Sequence, residues 1–500
     1  MMKKYIRIIA LILAVLTLSG TLVACANTDD PEVTTDNPEA ATTTAPEPES
    51  TAEETLFAPD DLEESYNFDT EITVYMWSDY TMMEFYAEES GDIIDDAIYG
   101  RNNDVENRLG ITLEFVQEPG SGSSKMTPWM ARAENDWKAD NDYDIYAGYS
   151  ICLPQMTLKG MTVNLLEHDA FSVEKPWWPE ALTTECTIND KLCYCSGDIS
   201  TNLLWMMTGT FYNKDLYEKY YGDEKSPMDM VENNEWTMEK LFTMTRDIYE
   251  DDGNSKKDEA DTYGYVLYEV NINSFQTAAG ITMLERDKDK GLRISEAWTS
   301  QSCADVCDFV GNLVKSAGVI HSSKTSVRDV FYEERALFIT DRTYIVSGKD
   351  TVENSKKIEF DYGVVPQPKF NANQENFKNY VGLSYTMYGV NSNSKDIEAA
   401  VTTLEAMGSA NHRTVIPAVF EVTMKVRYTN DSQSARMYDI LRENISFDIG
   451  QLFTKMLGDI SPLFRTTALS TNPSGILSNI EKNRKIIESG IKTIMKFYEG

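Results

Sequence analysis

The chain has 500 residues, 42% hydrophobic and 25% charged, the balance of a globular protein long enough for two or three domains. Asp and Glu number 81 against 45 Lys and Arg, a net charge of −36. So acidic a surface repels phosphate backbones and anionic headgroups, which argues against a nucleic-acid partner and for neutral or cationic small partners, or none.

Lys3, Lys4 and Arg7 precede an apolar run, Ile8 to Leu18. That run is shorter than the ~18 residues of a spanning helix, so residues 1–24 are expected to be a cleaved secretion signal. Leu22-Val23-Ala24-Cys25 resembles the bacterial lipobox, which implies acylation of Cys25; an ordinary signal with an incidental cysteine is the alternative. Residues 26–66 hold thirteen Asp or Glu and no Lys or Arg, so 25–67 is expected to be a disordered, Thr- and Pro-rich acidic tether.

The folded region opens at Glu71–Trp77, where Ile72, Val74 and Met76 alternate with Thr73 and Tyr75 as in a strand. A helix is expected to end at Leu109-Gly110, followed by a strand from Ile111, a helix through Trp129 and Trp137, and a short strand at Tyr143–Ala147. That alternation implies crossovers and a mostly parallel sheet. Thr187–Leu192 reads as a hairpin turning at Asn189-Asp190, which would set Cys186 across from Cys193 for a disulfide. A zinc site from Cys186, Cys193 and Cys195 lacks a fourth ligand at a usual spacing, and Cys303 and Cys307 share a helix stripe.

Further on, Thr237 is expected to cap a helix over Met238–Tyr249. Leu337–Ile339 and Tyr362–Val365 read as strands. A helix over Lys395–Met407 is expected to start at a Ser394 cap and stop at Gly408.

No nucleophile elbow, His-Glu-x-x-His or phosphate loop is present; Gly120–Lys125 lacks the third glycine of a dinucleotide fingerprint. In the acidic stretch 250–261, Glu250, Asp252, Asn254, the Lys256 carbonyl, Asp258 and Asp261 fall at the oxygen-donor positions of a calcium loop. Glu at the first position, Ser at the sixth and two lysines depart from that pattern, and a plain solvated turn is the alternative. No cofactor is otherwise required.

Five segments then resemble, in order, the extracellular solute-binding proteins of carbohydrate ABC importers, the family that includes maltose-binding protein. They are Thr210-Phe211-Tyr212-Asn213-Lys214-Asp215-Leu216, Glu235-Trp236-Thr237-Met238-Glu239-Lys240-Leu241, Asp261-Thr262-Tyr263-Gly264, Tyr362-Gly363-Val364-Val365-Pro366-Gln367-Pro368, and Asn391–Lys395 followed by Glu398-Ala399-Ala400. The resemblance implies an α/β, two-lobed periplasmic-binding-protein-like fold with hinge crossovers and a ligand cleft between the lobes. Carried over, the first lobe spans 68–200 plus 380–445 and the second 201–379 plus 446–500.

It also implies a non-enzymatic receptor, lipid-anchored on the outer face of the cytoplasmic membrane. The receptor would act as a monomer, capturing a sugar or oligosaccharide and delivering it to an ABC permease. A secreted carbohydrate-active enzyme, and a sensor or adhesion subunit uncoupled from import, are the competing readings. Because ligands of α/β sheets bind outside the carboxyl ends of strands, Trp77, Asp79, Gly148 and Tyr149 are site candidates, with packing inside the lobe as the alternative. Trp205 is a candidate near the first crossover. Asp341, Arg342 and Tyr344 follow the Leu337 strand, where the family places cleft residues; Arg342 would hold hydroxyls or a uronate carboxylate, or pair with Asp341.

Cys25→Ser is expected to leave the folded region intact while abolishing acylation and membrane retention, read by fractionation and lipid labelling. Equal retention and labelling in the variant would contradict the lipobox reading.

Overall fold

The computed structural model describes residues 58–79, 84–139, 142–286, 291–347, 358–427 and 431–499; the signal, Cys25 and most of the tether lie outside them. The tether gives way to folded chain earlier than its composition suggests. Asp60 pairs with Arg108 at 2.7 Å and Arg413 at 2.9 Å, and Asp61 with Lys175 at 2.6 Å. These acids have cationic partners on the first lobe, which a count of charge along the sequence does not register.

Two sheets carry the architecture. In the first, β1 (Thr70–Trp77) runs parallel to β2 (Ile111–Glu118) on one side and to β3 (Ile145–Tyr149) on the other. The second holds β4 (Thr208–Asn213), β5 (Tyr249–Glu250), β6 (Thr262–Tyr268), β9 (Val319–Ser322), β10 (Ala336–Arg342) and β11 (Tyr362–Pro366). Its order is β11-β4-β10-β6, with β5 and β9 beside β6. A separate hairpin joins β7 (Leu284–Arg286) to β8 (Leu292–Ile294). The chain returns through β12 (Asn379–Tyr380) to β13 (Thr386–Val390), which closes the first sheet antiparallel to β3. β14 (Ile445–Ser446) then pairs with β12 between the two sheets. The fold is thus α/β and two-lobed, with crossovers joining the lobes.

The alternation read in β1 predicts one wet face, yet Ile72 through Trp77 are all buried. Its central place between β2 and β3 covers both faces, where a period-2 pattern has no solvent side to mark. Gly110 caps helix Ile93–Leu109 in the left-handed conformation, as expected. Asn189 and Asp190 both have positive φ and Ile188 bridges Lys191, so the hairpin forms. Cys186, however, ends helix Glu180–Cys186 instead of entering that hairpin, and all six described cysteines are free, buried thiols.

The helix expected over Lys395–Met407 runs from Ile397 to Arg413 with Asp396 as its cap. Gly408 does not stop it: a Cβ there would lie 3.0 Å from Trp177 and Trp178, so this glycine admits the tryptophans against the helix. Helix Ser432–Glu443, counted in the first lobe from sequence, packs beside β11 of the second sheet, and its start is tied there by Lys214–Asp431 at 3.1 Å and Gln433–Asp229 at 2.9 Å. Among the described residues no helix is long and apolar enough to cross a membrane.

Glu405, on helix Ile397–Arg413, accepts from the indole N–H groups of Trp177 (3.1 Å) and Trp178 (2.9 Å). Burial nevertheless pushes its carboxyl up to about 7, as it does for Glu84 and Asp448. Between the unfolded value of 4.5 and about 7 the native state holds a proton that the unfolded chain releases, so stability falls as pH rises through that window. In urea melts Glu405→Gln is expected to lose less stability over that range than the wild type; an unchanged slope would contradict the assignment.

Candidate functional site

A cavity of about 200 Å³ opens between the lobes beside the crossovers. The first lobe lines it with Tyr149 at the end of β3, Ile151, and Gly122 and Met126 from helix Gly122–Lys138. The second contributes Val270, Asn271 and Asn273 after β6, and Arg342 at the end of β10. Tyr380 of β12 and the Gly382–Ser384 link form the hinge side, and Thr454–Arg465 closes the far wall. The walls are thus built at carboxyl ends of strands from both sheets, where backbone groups are free of the ladder.

The candidates separate by depth. Tyr149 and Arg342 line the cavity. Trp77 does not: it is fully buried, its indole N–H donates to Thr386 Oγ1 at 2.8 Å, and its ring tilts against Tyr149 at 5.5 Å. Trp77 therefore backs the cavity through Tyr149 instead of facing a ligand. Gly148 lies behind as well, since a Cβ there would meet Trp129 at 2.6 Å.

Asp79 is occupied by structure. It accepts from the backbone N–H groups of Gly120 (2.8 Å) and Ser121 (2.9 Å) and from Lys125 (3.0 Å). Burial alone would raise its carboxyl, but those donors hold it below the ordinary range. The Gly120–Lys125 loop is thereby pinned to the end of β1. Gly120 is required there, because a Cβ would fall 2.7 Å from Trp77 Cβ.

Trp205 is buried in helix Asn202–Trp205 and does not reach the cavity; its indole N–H meets no acceptor among the described residues. Asp341 is fully buried and bidentate to Arg328, at 2.6 and 3.2 Å. Burial opposes its ionisation, and Arg328 and Arg342 together hold it below the usual range. Tyr344 is buried between guanidiniums, with Arg328 5.3 Å and Arg342 5.0 Å from its ring centre. Gly382 lets the Arg342 stem pass close, since a Cβ there would lie 2.8 Å from Arg342 Cδ. Asp341, Arg328, Tyr344 and Gly382 thus position one cavity residue, Arg342.

Sequence reasoning missed Asn271, Asn273, Tyr380, Lys455 and Arg465. The strand-end rule applied to β6 reaches the first two. Arg465 falls in the last fifty residues, where the family resemblance has no motif to offer.

The acidic loop stands apart from the cavity. Of the six expected calcium donors, the structure brings together Asp252 and Asp261, joined by Asp251. Glu250 turns away to Lys219 (3.0 Å) and Tyr220 (2.6 Å). Asn254 accepts from the Lys256 N–H and donates to Asp258, and Asp261 takes the backbone N–H groups of Asp252 and Asp258.

No protein-family model matches the sequence, and no curated protein matches it. Solved structures do. The ABC substrate-binding protein Lmo0181 from Listeria monocytogenes, in complex with cycloalternan, is 13% identical over 84% of this chain and 98% of its own, with a TM-score of 0.53. The maltose-binding periplasmic protein MalE from Listeria monocytogenes, in complex with maltose, is 14% identical over 85% and 98%, at 0.54. The apo form of RafE from Streptococcus pneumoniae is 12% identical over 86% and 100%, at 0.52. At such identities the shared property is the fold, the two-lobed architecture of periplasmic-binding-protein-type chains.

Trp77→Ala is expected to destabilise the ligand-free protein by ~3–5 kcal/mol in urea melts, the cost of truncating a fully buried aromatic. A loss below 1 kcal/mol would return Trp77 to the cavity wall.

Proposed function

We propose that the protein is an extracellular solute-binding protein, anchored through an acylated Cys25, that captures a sugar or oligosaccharide and delivers it to an ABC permease. The observation that carries this reading is the cavity lined by both lobes beside their crossovers. A solute held there touches both halves of the molecule and favours the closed form by its difference in affinity for the two. Tyr149 and Tyr380 offer aromatic faces to the C–H surfaces of a sugar, and Asn271, Asn273 and Ser384 offer amides and a hydroxyl. Solved proteins of similar fold are in complex with cycloalternan and maltose, which supports a saccharide over other polar solutes.

Binding is favoured over hydrolysis by the make-up of the walls. Among the described residues lining the cavity, Asp459 is the one carboxylate, and it pairs with Lys455 at 2.8 Å. Glycosidic cleavage ordinarily needs two carboxyl groups flanking the bond.

A panel of mono- and oligosaccharides added to the purified protein is expected to raise the melting temperature for one structural class and leave the sugar chemically intact. Release of a shortened sugar would favour the enzyme reading, and a flat response across the panel would contradict saccharide binding.

A further inference from the structure

The wall that follows β6 carries two amides whose own donors are already spent. Asn273, at the start of helix Asn273–Ala278, is 5% exposed, and its amide N–H donates to the Ser461 carbonyl at 3.1 Å. Asn271 is 1% exposed and donates in the same way to the Thr340 carbonyl at 3.1 Å. Ser461 is itself held: its backbone N–H donates to Thr454 Oγ1 at 2.8 Å and its hydroxyl to Gln451 Oε1 at 2.7 Å.

These bonds fix which way the amides face. Turning either one over would set its oxygen against a carbonyl oxygen, so Oδ1 is the atom each has left to offer. Asn273 Oδ1 is buried and meets no donor among the described residues, and Asn271 Oδ1 meets none there either. Both side chains line the cavity. A buried acceptor left without a donor costs more than an ordinary hydrogen bond gains. A ligand that brings a donor to it is therefore favoured, and one that brings another acceptor is refused.

Resting on the saccharide reading above, we propose that Asn273, seconded by Asn271, sets specificity by accepting from unsubstituted ring hydroxyls of the sugar. The class of ligand follows: a saccharide whose ring against this wall keeps its hydroxyls free. An ether, ester or deoxy position there brings no donor, and the site rejects it. The hydroxyls of Tyr380 and Ser384 on the hinge side can donate or accept, so the demand for a donor falls on the two amides.

Calorimetric titration of the full chain tests this. Maltose, cellobiose, galactobiose and mannobiose are ranked, and the tightest is repeated as its monodeoxyfluoro derivatives. Each of these has one hydroxyl replaced by fluorine, which is close in size but cannot donate. At least one derivative is expected to bind about 10- to 100-fold more weakly than its parent, the cost of leaving a buried acceptor unpaired. In Asn273→Ala that derivative and its parent are expected to bind within about twofold of each other, because the acceptor that told them apart is gone. A merely structural role for Asn273 would weaken both alike and leave their ratio as it was. Asn273→Leu, close to asparagine in size, takes the place of Asn273→Ala if the smaller side chain does not fold.

A scan in which no fluorine costs as much as about tenfold overturns the inference and leaves saccharide binding standing. So does a variant that keeps the wild-type ratio. No binding by any of the four disaccharides overturns it together with the saccharide reading.

Discussion

The site depends on how a few backbone hydrogen bonds fasten the passages between the two sheets. Gly382 N–H donates to the Met206 carbonyl at 2.8 Å, Thr343 N–H to Met207 at 2.8 Å, and Asn379 N–H to Asn444 at 2.8 Å. Met207 bridges Val381, and β12 pairs with β14 for two residues only. These short pairings fix where the lobes meet without locking them along a long ladder. The cavity lies directly alongside, so Tyr380 and Gly382 belong at once to the hinge and to the wall. A solute seated there acts on the joint itself.

The same economy governs the charges. In a chain with a net charge of −36, many acids serve as anchors. Asp60 and Asp61 fasten the end of the tether, Asp79 pins the Gly120 loop, and Asp448 receives the N–H groups of Met283 (2.7 Å) and Gly450 (2.8 Å). Asp341 is spent on Arg328.

Local chemistry was the most legible part of the sequence. The left-handed Gly110 cap, the Asn189-Asp190 turn and the Thr237 cap each act over a few residues and appear as expected. Tertiary packing was not legible. Gly408 looks like a helix stop until Trp177 and Trp178 are seen against it, and Trp77 looks like a platform until Thr386, 309 residues later, is seen accepting its N–H. The strand-end rule points to a rim but not to the direction of its side chains: Tyr149 and Arg342 reach the cavity, while Trp77, Gly148 and Asp341 lie behind it. Arg465 approaches from the far wall, on a segment that no local pattern connects to the site.

The central claim is that a solute bridging both lobes draws them together around these short crossovers. Swinging such an equilibrium from 1:99 to 99:1 requires a ligand that prefers the closed form by ~5.5 kcal/mol, and a ligand with that preference leaves a visible mark on shape. Small-angle X-ray scattering of the protein with and without a saccharide proven to bind is the direct measurement. The account predicts a smaller radius of gyration in the complex, and a profile unchanged at saturation would contradict it.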